Sequence, residues 1–106
     1  MVKPNSKSAA DAMVSSALPP VEVTLPPALV RLFPGAAARL DVPAARVSEV
    51  IDALEERWPG MRDRLIDSTP RIRRHMNVFV NGKRSTLDTP LEPGARVFII
   101  TAVSGG

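Results

Sequence analysis

The stretch Arg96-Val97-Phe98-Ile99-Ile100-Thr101-Ala102-Val103-Ser104-Gly105-Gly106 governs the reading of this chain. Val97 to Val103 is rich in β-branched and aromatic residues, the composition of a strand, and it leads directly into two glycines. Glycine makes up about 7% of average sequence, so a chance Gly-Gly at a given place arises about once in 200. A frayed terminus is the plain alternative, and a cloning scar is another. Glycine has no Cβ, so its backbone can thread a narrow cleft. A free carboxylate on such a slender tail suits an activating enzyme, and the reading points to chemistry at the carboxylate of Gly106.

Met76-Asn77-Val78-Phe79-Val80 reads as a second strand, closed by the turn pair Asn81-Gly82. Nearer the start, Val21, Val23 and Leu25 alternate with Glu22 and Thr24, the period of a half-buried strand. Pro26-Pro27 closes it, because proline cannot donate to a ladder. Ala28 to Ala36 reads as a long connection. Ala37 to Val42 reads as the return strand, with Leu40 and Val42 inward. The clearest element is a helix: Val47, Val50, Ile51, Leu54 and Trp58 form one stripe, stopped by Pro59-Gly60. Its start lacks the usual Ser, Thr, Asp or Asn cap, since Arg46 stands there. Met61 to Ile66 adds one short turn, and Asp88 to Gly94 is another turn region. One helix on one sheet is an α+β roll. The order of elements is that of a ubiquitin-like β-grasp, a mixed sheet packed on one main helix. Residues 1–20 read as a disordered extension, without periodicity and ending in Pro19-Pro20. Linker, tether and cloning remnant all fit it. The domain runs from 21 to 106.

Composition narrows the functions. At 106 residues with four aromatics, the chain builds a small core but not a roomy catalytic cavity. It has no cysteine, hence no disulfide, thiolate nucleophile or cysteine metal site. Its one histidine, His75, cannot form a metal cluster and is expected at the surface or a strand end. No run approaches membrane-spanning length and residues 1–20 make a poor signal peptide, so cytoplasmic residence is expected. The net charge is +3, with one cluster at Arg71, Arg73 and Arg74. Nucleic-acid binding calls for a basic stripe with aromatics or a known motif, and neither is present. The cluster is read as a solvated loop or as a docking patch for an acidic partner. Lys83 is read as a solvated turn residue.

Strand alternation divides the two C-terminal strands into faces. If Val78, Val80, Val97 and Ile99 face the helix, then Phe79, Phe98 and Ile100 point away and form an apolar patch near the tail. The converse, with the aromatics in the core, is the competing arrangement. Apolar patches mark protein interfaces, and aromatics anchor them.

The chain resembles the MoaD/ThiS sulfur carriers from Val21 to Gly106. The resemblance rests on Val21-Glu22-Val23-Thr24-Leu25-Pro26, the helix through Trp58-Pro59-Gly60, and Asn77-Val78-Phe79-Val80-Asn81-Gly82. It continues through Leu91-Glu92-Pro93-Gly94 and Thr101-Ala102-Val103-Ser104-Gly105-Gly106. Within that family it is most similar to carriers of the cysteine-biosynthesis and thio-metabolite type. It departs from them in a compact Lys83-Arg84-Ser85-Thr86-Leu87-Asp88. The resemblance implies that an E1-like, ATP-dependent enzyme adenylates Gly106, and that sulfide or a persulfide protein then converts it to a thiocarboxylate. A downstream synthase would accept the sulfur. Ser104 and Gly105 form the tail, and Phe79, Phe98, Ile100 and Ala102 form the partner-binding face. The carrier itself would bind no cofactor or metal, catalyse nothing, and need neither nucleic acid nor membrane. Small subunit of molybdopterin synthase, thiamine sulfur carrier and ubiquitin-like modifier of lysines are the alternatives.

Overall fold

Five short strand segments and one long amphipathic helix specify the architecture. The computed structural model describes residues 20–101. Strands β1 (Pro20–Thr24) and β2 (Arg39–Pro43) form an antiparallel hairpin, with Val21 opposite Val42. Strand β3 (Met76–Val80) turns at Asn81-Gly82 into the two-residue β4 (Lys83–Arg84). Strand β5 (Arg96–Thr101) lies between β1 and β3, parallel to the first and antiparallel to the second. The sheet order is β2-β1-β5-β3-β4. Pro20 opens β1, one residue ahead of the expected start; a first strand position is one that proline tolerates. The rest of the expected extension, residues 1–19, lies outside the described residues.

A short helix, α1 (Pro27–Leu32), is followed by α2 (Val47–Arg57), which covers one face of the sheet. Val47, Val50, Ile51 and Leu54 are fully buried in one cluster with Val21, Val23, Val78, Val97 and Ile99. Each such side chain contributes about 1.5–3 kcal/mol by leaving water. The missing cap has a structural replacement. The N–H groups of Val47 and Ser48 donate to the carbonyls of Thr89 and Leu87, at 3.1 and 2.9 Å. Glu49 Oε1 accepts from the Ala45 N–H at 2.7 Å. The loop before β5 therefore does the work of an N-cap side chain.

The expected connection at Ala28 to Ala36 is corrected in part: Pro27–Leu32 is a helix, α1. Pro26-Pro27 does close β1, but Pro27 also begins the helix, where its missing N–H has no intrahelical acceptor to lose. Leu29 pins this helix to the core. A third helix, α3 (Met61–Leu65), takes the place of the expected short turn and buries Met61 and Leu65. Gly60 precedes it at φ 102°, a left-handed conformation that favours glycine. The Glu55 carboxylate accepts from the N–H groups of Arg62, at 2.9 Å, and Gly60, at 3.1 Å. These bonds, the one from Arg62 foremost, hold the Glu55 carboxyl below its ordinary range.

Ile51→Ala is expected to cost about 2–5 kcal/mol in urea unfolding through the cavity it leaves under the sheet. Glu55, with its folded pKa depressed, stabilises the fold above its unfolded-state pKa and stops doing so as pH falls through the folded value. NMR titration of the Glu55 carboxyl is expected to give a midpoint below that of an ordinary glutamate. Glu55→Gln should blunt the acid limb of stability.

Candidate docking face and tail exit

The position of β5 follows from its sequence. Val97 and Ile99 point to the core, so Arg96, Phe98 and Ile100 point to the opposite face of the sheet. Phe98 is 40% exposed and Ile100 43%. Phe79 is cross-strand to Phe98 and is half-buried beside it. Val78 and Val80 occupy the core side. The arrangement with the aromatics in the core does not occur. Among the described residues no helix covers this outer face, since α2 lies on the other one.

Backbone pairing sets what surrounds the apolar patch. A row across the sheet runs Arg84, Phe79, Phe98, Thr24, Arg39. Two residues along, on the same face, Arg96 pairs with Glu22. Glu22 approaches Arg96 at 3.6 Å and Arg39 at 3.8 Å. These exposed pairs are worth little in stability, but they leave the rim arginine-rich. The opposite end of β5 is the tail exit. Thr101, the last described residue, pairs with Met76 at the start of β3, next to exposed His75. Of the residues singled out for function, Ala102, Ser104, Gly105 and Gly106 lie outside the described residues. Phe79, Phe98 and Ile100 are brought together on the outer face of the sheet.

The turn that aligns β3 with β5 is itself fixed by side-chain chemistry. Asn81 has φ 50° and Gly82 φ 86°, the positive values of a two-residue hairpin turn. Asn81 N–H donates to the Arg96 carbonyl, and its Oδ1 accepts from the Arg96 N–H, both at 2.9 Å. Lys83 is exposed. Among the described residues no group of three or more His, Asp or Glu is placed to hold a metal ion. No helix among them is long and apolar enough to cross a membrane.

The family model described as the ThiS family matches residues 27–106. The chain belongs to that family, the MoaD/ThiS group of ubiquitin-like sulfur carriers. Among solved structures, it is similar to a chain of the Amycolatopsis orientalis BexX/CysO complex, with 30% identity and a TM-score of 0.70, covering 81% of this chain and 99% of that one. It is similar to Mycobacterium tuberculosis CysO, with 27% identity and a TM-score of 0.69, over 78% and 99% of the two chains. Haloferax volcanii SAMP1 shares the fold at 24% identity and a TM-score of 0.69, over 82% and 99%. No curated protein matches the chain. The β-grasp expectation holds, including the mixed sheet.

Sequence reading found the patch through alternation but missed two things. Helix α1 is too short for a periodicity to show. Strand β4 was implicit in Asn81-Gly82, since such a turn requires a strand on each side.

Adjacent isoleucines test the face assignment. Ile99→Ala is expected to cost about 2–5 kcal/mol in denaturant unfolding, as a core truncation does. Ile100→Ala should cost less than about 1 kcal/mol, as a surface change does.

Proposed function

We propose that this protein carries sulfur as a thiocarboxylate on Gly106. The observation that carries the reading is the ThiS-family match, which runs through the Gly105-Gly106 pair. An E1-like partner would transfer AMP from ATP to the Gly106 carboxylate, releasing pyrophosphate. Sulfide, or a persulfide sulfur, would then attack the acyl carbon and expel AMP. With a persulfide donor, a reductant must cleave the remaining S–S bond. ATP belongs to the partner, and the chain itself is a substrate rather than an enzyme.

Phe98, Ile100 and the exposed part of Phe79 form the surface by which the partner holds the domain while the tail enters its active site. Ala102, Ser104 and Gly105 lie between β5 and Gly106 in the sequence. The apolar anchors give contact area, and the arginines around them favour a partner with acidic groups at its rim. For the acceptor we favour the synthesis of cysteine or of a sulfur-containing metabolite. The likeness to Mycobacterium tuberculosis CysO at 27% identity, and to a chain of the BexX/CysO complex at 30%, supports this choice over molybdopterin or thiamine.

Incubation with an activating enzyme, ATP and sulfide is expected to replace one oxygen of the chain by sulfur, read by intact mass. Deletion of Gly106 should abolish the change. Higher-mass protein conjugates that depend on Gly106, with no thiocarboxylate, would replace this reading with that of a lysine modifier. Phe98→Ala and Ile100→Ala are each expected to weaken binding to the activating enzyme about tenfold, the usual effect of truncating an interface anchor. Unchanged affinity in both would remove the outer face from the proposal.

A further inference from the structure

The two edges of the sheet are unlike. Beyond β4, β3 is closed: Met76 and Val78 are buried, the Val78 carbonyl accepts from Ser85 N–H, and Met76 N–H donates to the Arg73 carbonyl. Arg71, Arg74 and Arg84 line an open groove of about 970 Å³ beside it. The other edge is β2, whose strand neighbour is β1 alone. On β2, Arg39, Asp41 and Pro43 are exposed, Leu40 is half-buried and Val42 is buried.

Backbone alternation fixes which groups of β2 look outward. Leu25 N–H donates to the Ala38 carbonyl at 2.8 Å, so Ala38 faces β1. Leu40 and Val42 also face β1, opposite Val23 and Val21. The N–H and C=O groups of Arg39 and Asp41 therefore point away from the sheet. Among the described residues, the one bond that reaches them comes from Arg57 Nη2 to the Asp41 carbonyl at 3.5 Å. That is longer than an ordinary N–H···O bond and easily given up. Pro43, which has no N–H, ends the run of outward donors.

The side chains of this edge complement their own copy. Asp41 stands directly opposite Glu22 on β1, and like charges in that position repel. Glu22 has Arg39 and Arg96 near it, whereas Asp41 forms no ion pair among the described residues. Asp41 therefore lacks a cation. Arg39, two residues away, lies on the same face of the strand. An antiparallel copy of β2 centred on Leu40 sets each Arg39 opposite the Asp41 of the other copy. These are the residues whose backbone groups point outward, so both meetings are hydrogen-bonded pairs. The Leu40 side chains then meet at the axis on the core side, in the non-hydrogen-bonded position where side chains come closest. Moving the centre to Arg39 or to Asp41 would set like charges face to face, so charge selects a single register.

We propose that two copies of this chain pair through β2, antiparallel about Leu40, and form one sheet that is continuous across the dimer. A second copy is the occupant because the order of charges on β2 matches its own reverse. The two-fold axis stands normal to the sheet. Both outer faces, with Phe98 and Ile100, thus lie on the same side of the dimer and stay uncovered. The contact is a few rungs of one strand, so the dimer belongs with the small, weak interfaces. The proposal does not rest on the chemistry of the tail.

The test is sedimentation equilibrium of the full chain in a dilution series reaching about 1 mM, the range in which a small interface associates. Amide ¹⁵N spectra are recorded at the same concentrations. Expected are a reversible dimer and concentration-dependent shifts at Arg39, Leu40 and Asp41, with the Arg39 and Asp41 amides gaining protection from exchange. Arg39→Asp and Asp41→Arg, each at an exposed position, should keep folded spectra. Each should weaken self-association at least about tenfold by setting like charges opposite one another. Mixed in equal amounts, the two variants should associate about as tightly as the unchanged chain, because opposite charges again face each other at both contacts. Deletion of Gly105-Gly106 should leave the dimer unchanged, which separates this result from the fate of the sulfur-carrier reading. A monomer throughout the series, a mixture no tighter than either variant alone, or shifts centred on Phe98 and Ile100 would each overturn the proposal. So would a monomer whose Arg39 and Asp41 amides are already protected, which would assign the edge to another segment of the same chain.

Discussion

The parallel pairing of β1 with β5 is the constraint on which the rest of the structure depends. Parallel neighbours need a crossover connection, and here nearly all the described chain lies between the two strands. Helix α2 lies in that crossover and packs on the sheet the pairing creates. Val23 and Val97, paired across the two strands, are fully buried beneath it. With β5 held in the middle of the sheet, the described chain ends at Thr101 in an interior column rather than at an edge. The tail exit and the outer apolar face are therefore consequences of one placement.

The helix ends show how local deficits are met by distant backbone. Arg46 offers no capping oxygen, yet the first N–H groups of α2 find carbonyls at Leu87 and Thr89. Leu91 N–H bonds back to the Ala45 carbonyl, tying the same loop to the approach to the helix. At the other end, one carboxylate from Glu55 receives two N–H groups at the start of α3. In both places a polar group that would otherwise be left unpaired joins segments far apart or differently oriented. These joints fix the angle of α2 on the sheet, which hydrophobic burial alone, being non-directional, does not.

The two surfaces of the molecule differ in origin. The outer face carries Phe98, Ile100 and part of Phe79 because each β strand must put half its side chains away from the core. The groove beside β3 arises because β4 is only two residues long. Its shortness ends the ladder early, with Ser85 N–H on the Val78 carbonyl as the last bond, and the arginine-bearing loop lies beside the buried Met76 and Val78. Natural sheets commonly blunt such edges with charge, and Arg84 and Arg74 are placed to do so.

Much of this was legible in the sequence because it follows from short-range periodicity. The stripe of α2, the alternation of β3 and β5, the turn at Asn81-Gly82 and the outward direction of Phe98 and Ile100 are all set within a few residues. Helix α1 was not legible, since six residues starting at a proline carry too little pattern to separate helix from loop. The capping of α2 by Leu87 and Thr89 was not legible either, because the partners are remote in the chain and act through backbone, which has no sequence signature. The sequence by itself determined which residues face the core and where the glycine pair stands relative to the last strand, since side-chain period and hydrophobicity suffice for both. Only the tertiary structure decided that Arg71, Arg74 and Arg84 share one groove beside β3. That meeting depends on how the loops are folded against β3 rather than on any local preference.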